Sequence, residues 1–364
     1  MSQSQDDYLA IHRRAQGLPR VLIQLLGLMA CLAVLYLLHE VGGIIAPLFL
    51  TLNLVITAYP IHTWLVNKGT PSWLAAIVMA LSVLTAVMLA VLGLVWSISV
   101  MVNEIPQYSD KYWQLYHDAM IWLEQNGIDN AALADLGKRI DPNAVVNAIS
   151  SLWSTTQGLL GVITIIVASL VFMVMDTPSF AHRIQIASRT HPHITLAMRS
   201  FGQGVRRYWL VTTIFGLIVA FLDWVALVML GVPLAAVWGL LSFLTNYIPN
   251  IGFVIGLLPV AIVALLAVDW QTAVAVIVIY SVLNFVIQSL IQPRFTGESV
   301  GVTPTMSFIS LLVWGWTFGA VGTLVALPMT LLVKALLIDA DPKARWFNSL
   351  IASDPRSAEE PIAD

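Results

Sequence analysis

Apolar runs of bilayer length recur along almost the whole chain, and two in the C-terminal third are broken in the same way. A hydrocarbon core of about 30 Å takes about 20 helical residues to cross. Stretches of that length are Val21–Leu38, Val41–Ala58, Trp73–Val102, Thr155–Met175, Tyr208–Leu230 and Thr272–Gln292, with an interrupted region on each side of the last. With 59% of 364 residues hydrophobic and 10% charged, too little polar surface exists for water on every side. Lipid obliges each segment to satisfy its own backbone, so the expected class is an all-α polytopic membrane protein. A formal net charge of -3 gives a nucleic-acid partner no electrostatic support. Cys31 stands alone, which excludes an intrachain disulfide and a cysteine-based metal cluster.

The broken regions share a plan. The first reads Gly231-Val232-Pro233, an apolar arm through Ser242-Phe243, the break Thr245-Asn246-Tyr247-Ile248-Pro249-Asn250-Ile251-Gly252, then Gly256 and Leu258-Pro259. The second reads Gly301-Val302-Thr303-Pro304, runs apolar to Trp314-Gly315-Trp316, breaks around Gly319 and Gly322, and reaches Leu327-Pro328. One apolar helix joins them, so an odd number of crossings separates them and they enter from opposite faces. Gly and Pro free backbone groups that lipid cannot satisfy, so such breaks persist where protein or a wet cavity surrounds them. Paired interruptions of this kind point to a transport site near the midplane, as opposed interrupted or re-entrant hairpins. Two kinked spanning helices packed on glycine are the competing reading.

Orientation follows from lysine and arginine. Arg13, Arg14 and Arg20 mark the first tail as cytoplasmic, and Lys68 falls on the same side after two crossings. Asn103–Ser154 then lies outside, rich in acids such as Glu104, Asp110, Asp118 and Glu124. Pro106 opens a helix there with Tyr108, Tyr112 and Tyr116 on one face, a second short helix is expected near Asn130, and Asp141-Pro142-Asn143 starts a third. Arg183, Arg189, Arg199, Arg206 and Arg207 return the chain to the inside, as an amphipathic interfacial stretch. The resulting division is a cytoplasmic tail (1–20), the first transmembrane helices (21–102), a helical extracytoplasmic segment (103–154) and a transmembrane helix (155–175). A cytoplasmic amphipathic segment (176–207), a transmembrane transport core (208–338) and a cytoplasmic tail (339–364) follow.

No phosphate-cradling loop, metal-binding histidine pair or nucleophile elbow occurs, so no enzyme, cofactor or metal is expected. The polar groups inside apolar segments carry what chemistry there is, since each is costly there unless used or paired. Ser281, Asn284, Gln288 and Gln292 recur at three- and four-residue steps along one face of the connecting helix. Such a stripe suits either a small hydroxylated solute or interhelical hydrogen bonding. Asn246, Pro249, Asn250 and Gly252 at the first break complete the candidate solute pathway. Asp223 is the one acid deep in an apolar helix, a candidate for binding protons or cations or, alternatively, an acid hydrated near the outer interface.

At these residues the chain resembles the AI-2E family of membrane transporters. The match rests on Trp238-Gly239-Leu240-Leu241, Asn246-Tyr247-Ile248-Pro249-Asn250-Ile251-Gly252, and Gln292-Pro293-Arg294 followed by Gly297, Gly301 and Trp314-Gly315-Trp316. Gly319, Gly322, Leu327-Pro328 and Ile140-Asp141-Pro142-Asn143-Ala144 extend it. The resemblance implies a bacterial inner-membrane protein of about eight spanning helices working as a homo-oligomer, with relatives assigned to autoinducer-2 export in quorum sensing or to sodium/proton exchange. The chain departs from the family at Asp223, where small or apolar residues are usual, and at Thr212 or Thr213, near a usually basic position. Solute and ion coupling therefore do not follow from the resemblance. The reading adopted is a proton-driven exporter of a small polar solute or autoinducer-2-like signal. Its alternatives are a sodium or lithium/proton antiporter with Asp223 as carrier, and a non-transporting scaffold or regulator presenting the tyrosine-rich outer segment.

The charge asymmetry yields a direct test. With Cys31 replaced by serine, a cysteine at Asn130 is expected to label with an impermeant reagent from outside, and one at Thr190 only after the membrane is opened. The reverse pattern would invert the orientation.

Overall fold

The computed structural model describes residues 20–125, 142–248, 252–292, 295, 302–341 and 344–351, and all its long elements are helices. They are α1 (Arg20–Glu40), α2 (Gly42–Asn67), α3 (Ser72–Glu104), α4 (Ser109–Gln125), α5 (Pro142–Thr190) and α6 (Pro192–Met229). After these come α7 (Ala235–Thr245), α8 (Gly252–Ala267), α9 (Trp270–Asn284), α10 (Pro304–Leu324), α11 (Ala326–Lys334) and the short α12 (Asn348–Ile351). Turns of π-helix, Phe285–Ile291 and Ala335–Asp339, extend α9 and α11. The chain is a polytopic membrane protein. Six described helices are long and apolar enough to cross a bilayer, and α1, α7 and α8 contribute shorter apolar stretches.

Two expected boundaries move. Residues 176–207 do not form a separate surface helix: α5 runs unbroken through Pro178 to Thr190, and α6 begins at Pro192, where the ring is compatible with a first helical turn. The amphipathic stretch is thus the projecting ends of two long helices, whose 49 and 38 residues far exceed one crossing. In the segment expected outside, α3 continues to Glu104 and a 3-10 turn, Ile105–Tyr108, leads into α4. The helix expected near Asn130 lies outside the described residues.

α6 is the central element and packs against α2, α5, α7, α9 and α11. One half of it shares a core with Ala46 and Phe49 of α2, Trp314 and Phe318 of α10, and Leu327 and Leu331 of α11. Towards its other end Leu227 packs with Val237 and Trp238 of α7, Val260 of α8 and Val276 of α9. α9 is capped by Asp269, whose carboxylate accepts the Thr272 amide at 2.7 Å; that backbone bond holds its carboxyl below the usual range.

Both broken regions fold back on themselves. α7 ends at Thr245 and α8 starts at Gly252 so close to it that a Cβ at Gly252 would run into the Thr245 carbonyl. In the second region the composition of Pro304–Leu324 alone would allow a straight crossing. Its backbone does not, because Gly319 takes φ 63° and ψ -144°, a conformation reserved for glycine. Beyond it, a Cβ at Gly322 would meet the Trp314 carbonyl. The Ser310 hydroxyl donates to the Ala326 carbonyl at 2.8 Å, and Trp314 Nε1 donates to Thr330 Oγ1 at 2.9 Å. A straight helix would hold residues 310 and 326 about 24 Å apart. Side chains of other helices reach carbonyls at both turns: His39 Nδ1 donates to those of Trp316 and Thr317 at 3.0 and 3.1 Å, and the Tyr208 hydroxyl to that of Tyr247 at 3.4 Å. Tyr247 and Ile248 pack against the same large core that holds Tyr208, Trp209, Trp314 and Phe318.

Glycine is therefore required at both turns for close approach. Gly252→Ala and Gly322→Ala are expected to cost about 1–3 kcal/mol or more, read as a lowered thermal midpoint of the purified protein. Gly27→Ala and Gly43→Ala, where an added Cβ meets nothing within 4 Å, should leave the midpoint unchanged or raise it. Equal effects at the four sites would contradict the hairpin geometry.

Candidate polar pathway between α6, α7 and α9

Asp223 is 0% exposed in the interior of α6, and its Oδ2 accepts the Ser242 hydroxyl of α7 at 2.5 Å. The water-facing position considered for it is not the one it occupies. α7 reaches it because Gly239 lets that helix press against Ala220 and Trp224, where a Cβ would stand 3.0 Å from the Trp224 side chain. Four residues after Ser242, on the same face, the chain turns at Asn246.

Asn246 is seated over Gly216, where an added Cβ would lie 2.7 Å from its Nδ2. That nitrogen donates to the Thr212 carbonyl of α6 at 3.3 Å, and Oδ1 accepts Gln288 Nε2 at 2.6 Å. Gln288 has a second amide hydrogen, which it gives to Asn284 Oδ1 at 2.7 Å. Asn284 in turn donates to the Tyr280 carbonyl at 2.9 Å. Alongside, the Tyr247 hydroxyl lies 2.8 Å from Thr213 Oγ1, which donates to the Trp209 carbonyl at 2.7 Å. The result is a polar seam of amides and hydroxyls between three helices. Asp223 is its one carboxyl among the described residues. Neutral donors and acceptors of this kind bind hydroxyl and carbonyl groups without the desolvation cost of burying further charge.

Three of the residues expected on the pathway thus come together: Asn246, Asn284 and Gln288. Gly252 serves the backbone of the turn. Ser281 is half-buried outside the seam, and Gln292 follows the π turn. In that turn each amide bonds five residues back, so the chain rotates less per residue and a regular helical stripe cannot be extended past it. Gly319 and Gly322 build the second hairpin, with Pro328 buried in the first turn of α11. Pro249, Asn250, Pro293, Arg294, Gly297 and Gly301 lie outside the described residues.

Reading the sequence missed Ser242, Tyr280, Thr212, Thr213 and Gly216 as members of the site. Two carried a usable signal, since Ser242 precedes Asn246 and Tyr280 precedes Asn284 by one helical turn. Thr212 and Gly216 act through a carbonyl and a missing side chain, which no pattern of polar residues displays. Among the described residues no group of three or more His, Cys, Asp or Glu side chains gathers to hold a metal.

Comparison with known proteins places this geometry in a family. A family model described as AI-2E family transporter matches residues 25–340. The AI-2 transport protein TqsA of Escherichia coli (strain K12) is 28% identical over 294 residues, covering 81% of this chain and 85% of TqsA. YhhT of the same strain is 28% identical over 311 residues, 85% of this chain and 88% of its own. A relative in Haemophilus influenzae, whose name goes no further than transport, is 27% identical over 344 residues, covering 93% and 96% of the two chains.

Proposed function

Since the chain belongs to the AI-2E transporter family, we propose that it is a secondary transporter, exporting a small polar solute or signalling molecule of the AI-2 kind with the proton gradient as its drive. It acts as a transporter and not as an enzyme. The observation that carries the finer reading is the seam of Asn246, Asn284 and Gln288 closing against one turn of a folded-back hairpin. Gly216 leaves room for the Asn246 amide directly at the end of α7, where the helix is interrupted. TqsA, a transporter of AI-2 by name, supports a small hydroxylated solute.

Asp223 is the proposed coupling group, because a lone buried carboxyl in a transport core binds and releases a proton at lower cost than it holds a permanent charge. The bacterial relatives and the distribution of arginine support an inner-membrane protein with both termini in the cytoplasm. The broad apolar exposure of α1, including Leu25, Leu28, Met29 and Leu32, leaves room for lipid or for further copies in a homo-oligomer.

Proteoliposomes with imposed proton or sodium gradients, and AI-2 as probe solute, test this directly. Asp223→Asn removes the titrating group while nearly preserving size and hydrogen bonding. Proton-driven flux is expected to fall about tenfold while exchange at equal gradients persists. Asn284→Leu and Gln288→Leu should lower both together. Full proton-driven flux in Asp223→Asn would remove the coupling role, and sodium-driven flux lost in that variant would favour the antiporter reading.

A further inference from the structure

Resting on the reading of Asp223 as the coupling acid, we propose that Tyr280 is the positioning residue that transmits the charge state of Asp223 to the amides of the seam. The geometry is a ring of hydrogen bonds with one open link. Ser242 donates to Asp223 Oδ2; the Tyr280 carbonyl holds Asn284; Asn284 accepts from Gln288; Gln288 donates to Asn246. Asn246 lies one turn beyond Ser242, so the ring closes through α7. The gap lies between Asp223 Oδ1 and the Tyr280 hydroxyl. Both atoms are buried without a hydrogen-bond partner, on residues 0% and 1% exposed, and Tyr280 shares a core cluster with Leu227, one helical turn after Asp223 on the same face of α6.

Two orphaned polar atoms in the same interior are an expensive arrangement unless one conformation of the cycle joins them. When the Asp223 carboxyl loses its proton to water, it becomes an acceptor only, and the charge strengthens any hydrogen bond offered to it. The Tyr280 hydroxyl, buried and unpartnered on the helix packed against α6, is the donor this link would use. Closing that link draws α9 towards α6. Asn284 hangs from the Tyr280 carbonyl and Gln288 from Asn284, so both amides move with the tyrosine and alter the contact to Asn246.

Several other titratable groups on the packed elements are bonded to partners of their own. On α7 the chain continues to Tyr247, which is bonded to Thr213. α2 contributes His62, bonded to Ser72. Asp176 and Arg183 pair at the exposed end of α5, and Lys334 and Asp339 pair at the base of the second hairpin. Among the described residues, Ser242 is the side chain hydrogen-bonded to Asp223.

The test needs no solute. Infrared difference spectra of the purified protein in lipid vesicles are recorded across a pH titration, for wild type and variants. In wild type, the carboxyl band lost in Asp223→Asn, the phenol band lost in Tyr280→Phe, and the amide bands lost in Asn284→Leu and Gln288→Leu are expected to change together. In Tyr280→Phe the carboxyl band should still titrate while the amide response disappears. Removal of an orphaned hydroxyl should leave the thermal midpoint unchanged or higher. Isotope-labelled tyrosine in the unsubstituted chain reads the phenol response with no variant at all. If no titrating band is lost in Asp223→Asn, the coupling role of Asp223 fails and this inference with it. If that band titrates but the phenol is silent, or the amides still respond in Tyr280→Phe, the inference is overturned while the coupling role stands.

Discussion

A backbone that stops being helical inside hydrocarbon must find partners within the protein, and the C-terminal half of this chain is arranged around that requirement. Each of its two hairpins turns where a carbonyl, Thr245 or Trp314, lies against a glycine with no side chain to obstruct it. Carbonyls at the turns are then met by donors from other helices, Tyr208 of α6 at one and His39 of α1 at the other. Those donors fix where the hairpins stand. Residues of both turns belong to one core with Tyr208 and Trp209, and α6 packs against α2, α5, α7, α9 and α11.

The same constraint supplies the polar seam. A turn that ends α7 after Thr245 delivers Asn246 into the interior, where glycine at 216 leaves room for it and Gln288 can reach it. Hydrogen bonds between membrane helices are individually modest, on the order of 0.6 kcal/mol, so a seam of several can be remade without unfolding the bundle. That property suits a transporter better than a rigid scaffold. A single buried carboxyl, Asp223, adjoins the seam through Ser242.

The apolar helical segments were legible in the sequence because the length needed to cross hydrocarbon follows from the bilayer itself. The paired breaks were legible too, through Gly252, Gly319 and Gly322, since glycine in an apolar arm marks close approach or a special conformation. Asn246, Asn284 and Gln288 were found because amides in apolar surroundings are conspicuous. The π turn between Asn284 and Gln292 leaves no mark in the residue pattern, so the stripe read from the sequence assumed a regular helix that the backbone does not keep there. Ser242 and Tyr280 were overlooked because hydroxyls are common in membrane helices, and their importance lies in which helix faces them. The burial of Asp223 likewise depended on α7 packing across it.

The central claim is that the seam between α6, α7 and α9 opens to water and to solute during the cycle. Substituted-cysteine reactivity at Gln288 tests it most directly, in a chain whose Cys31 has been replaced by serine. The account predicts reaction with a small membrane-impermeant thiol reagent in proteoliposomes, and protection when AI-2 is added. No reaction from either side of the membrane, under any imposed gradient, would mean that the amides only pack helices together.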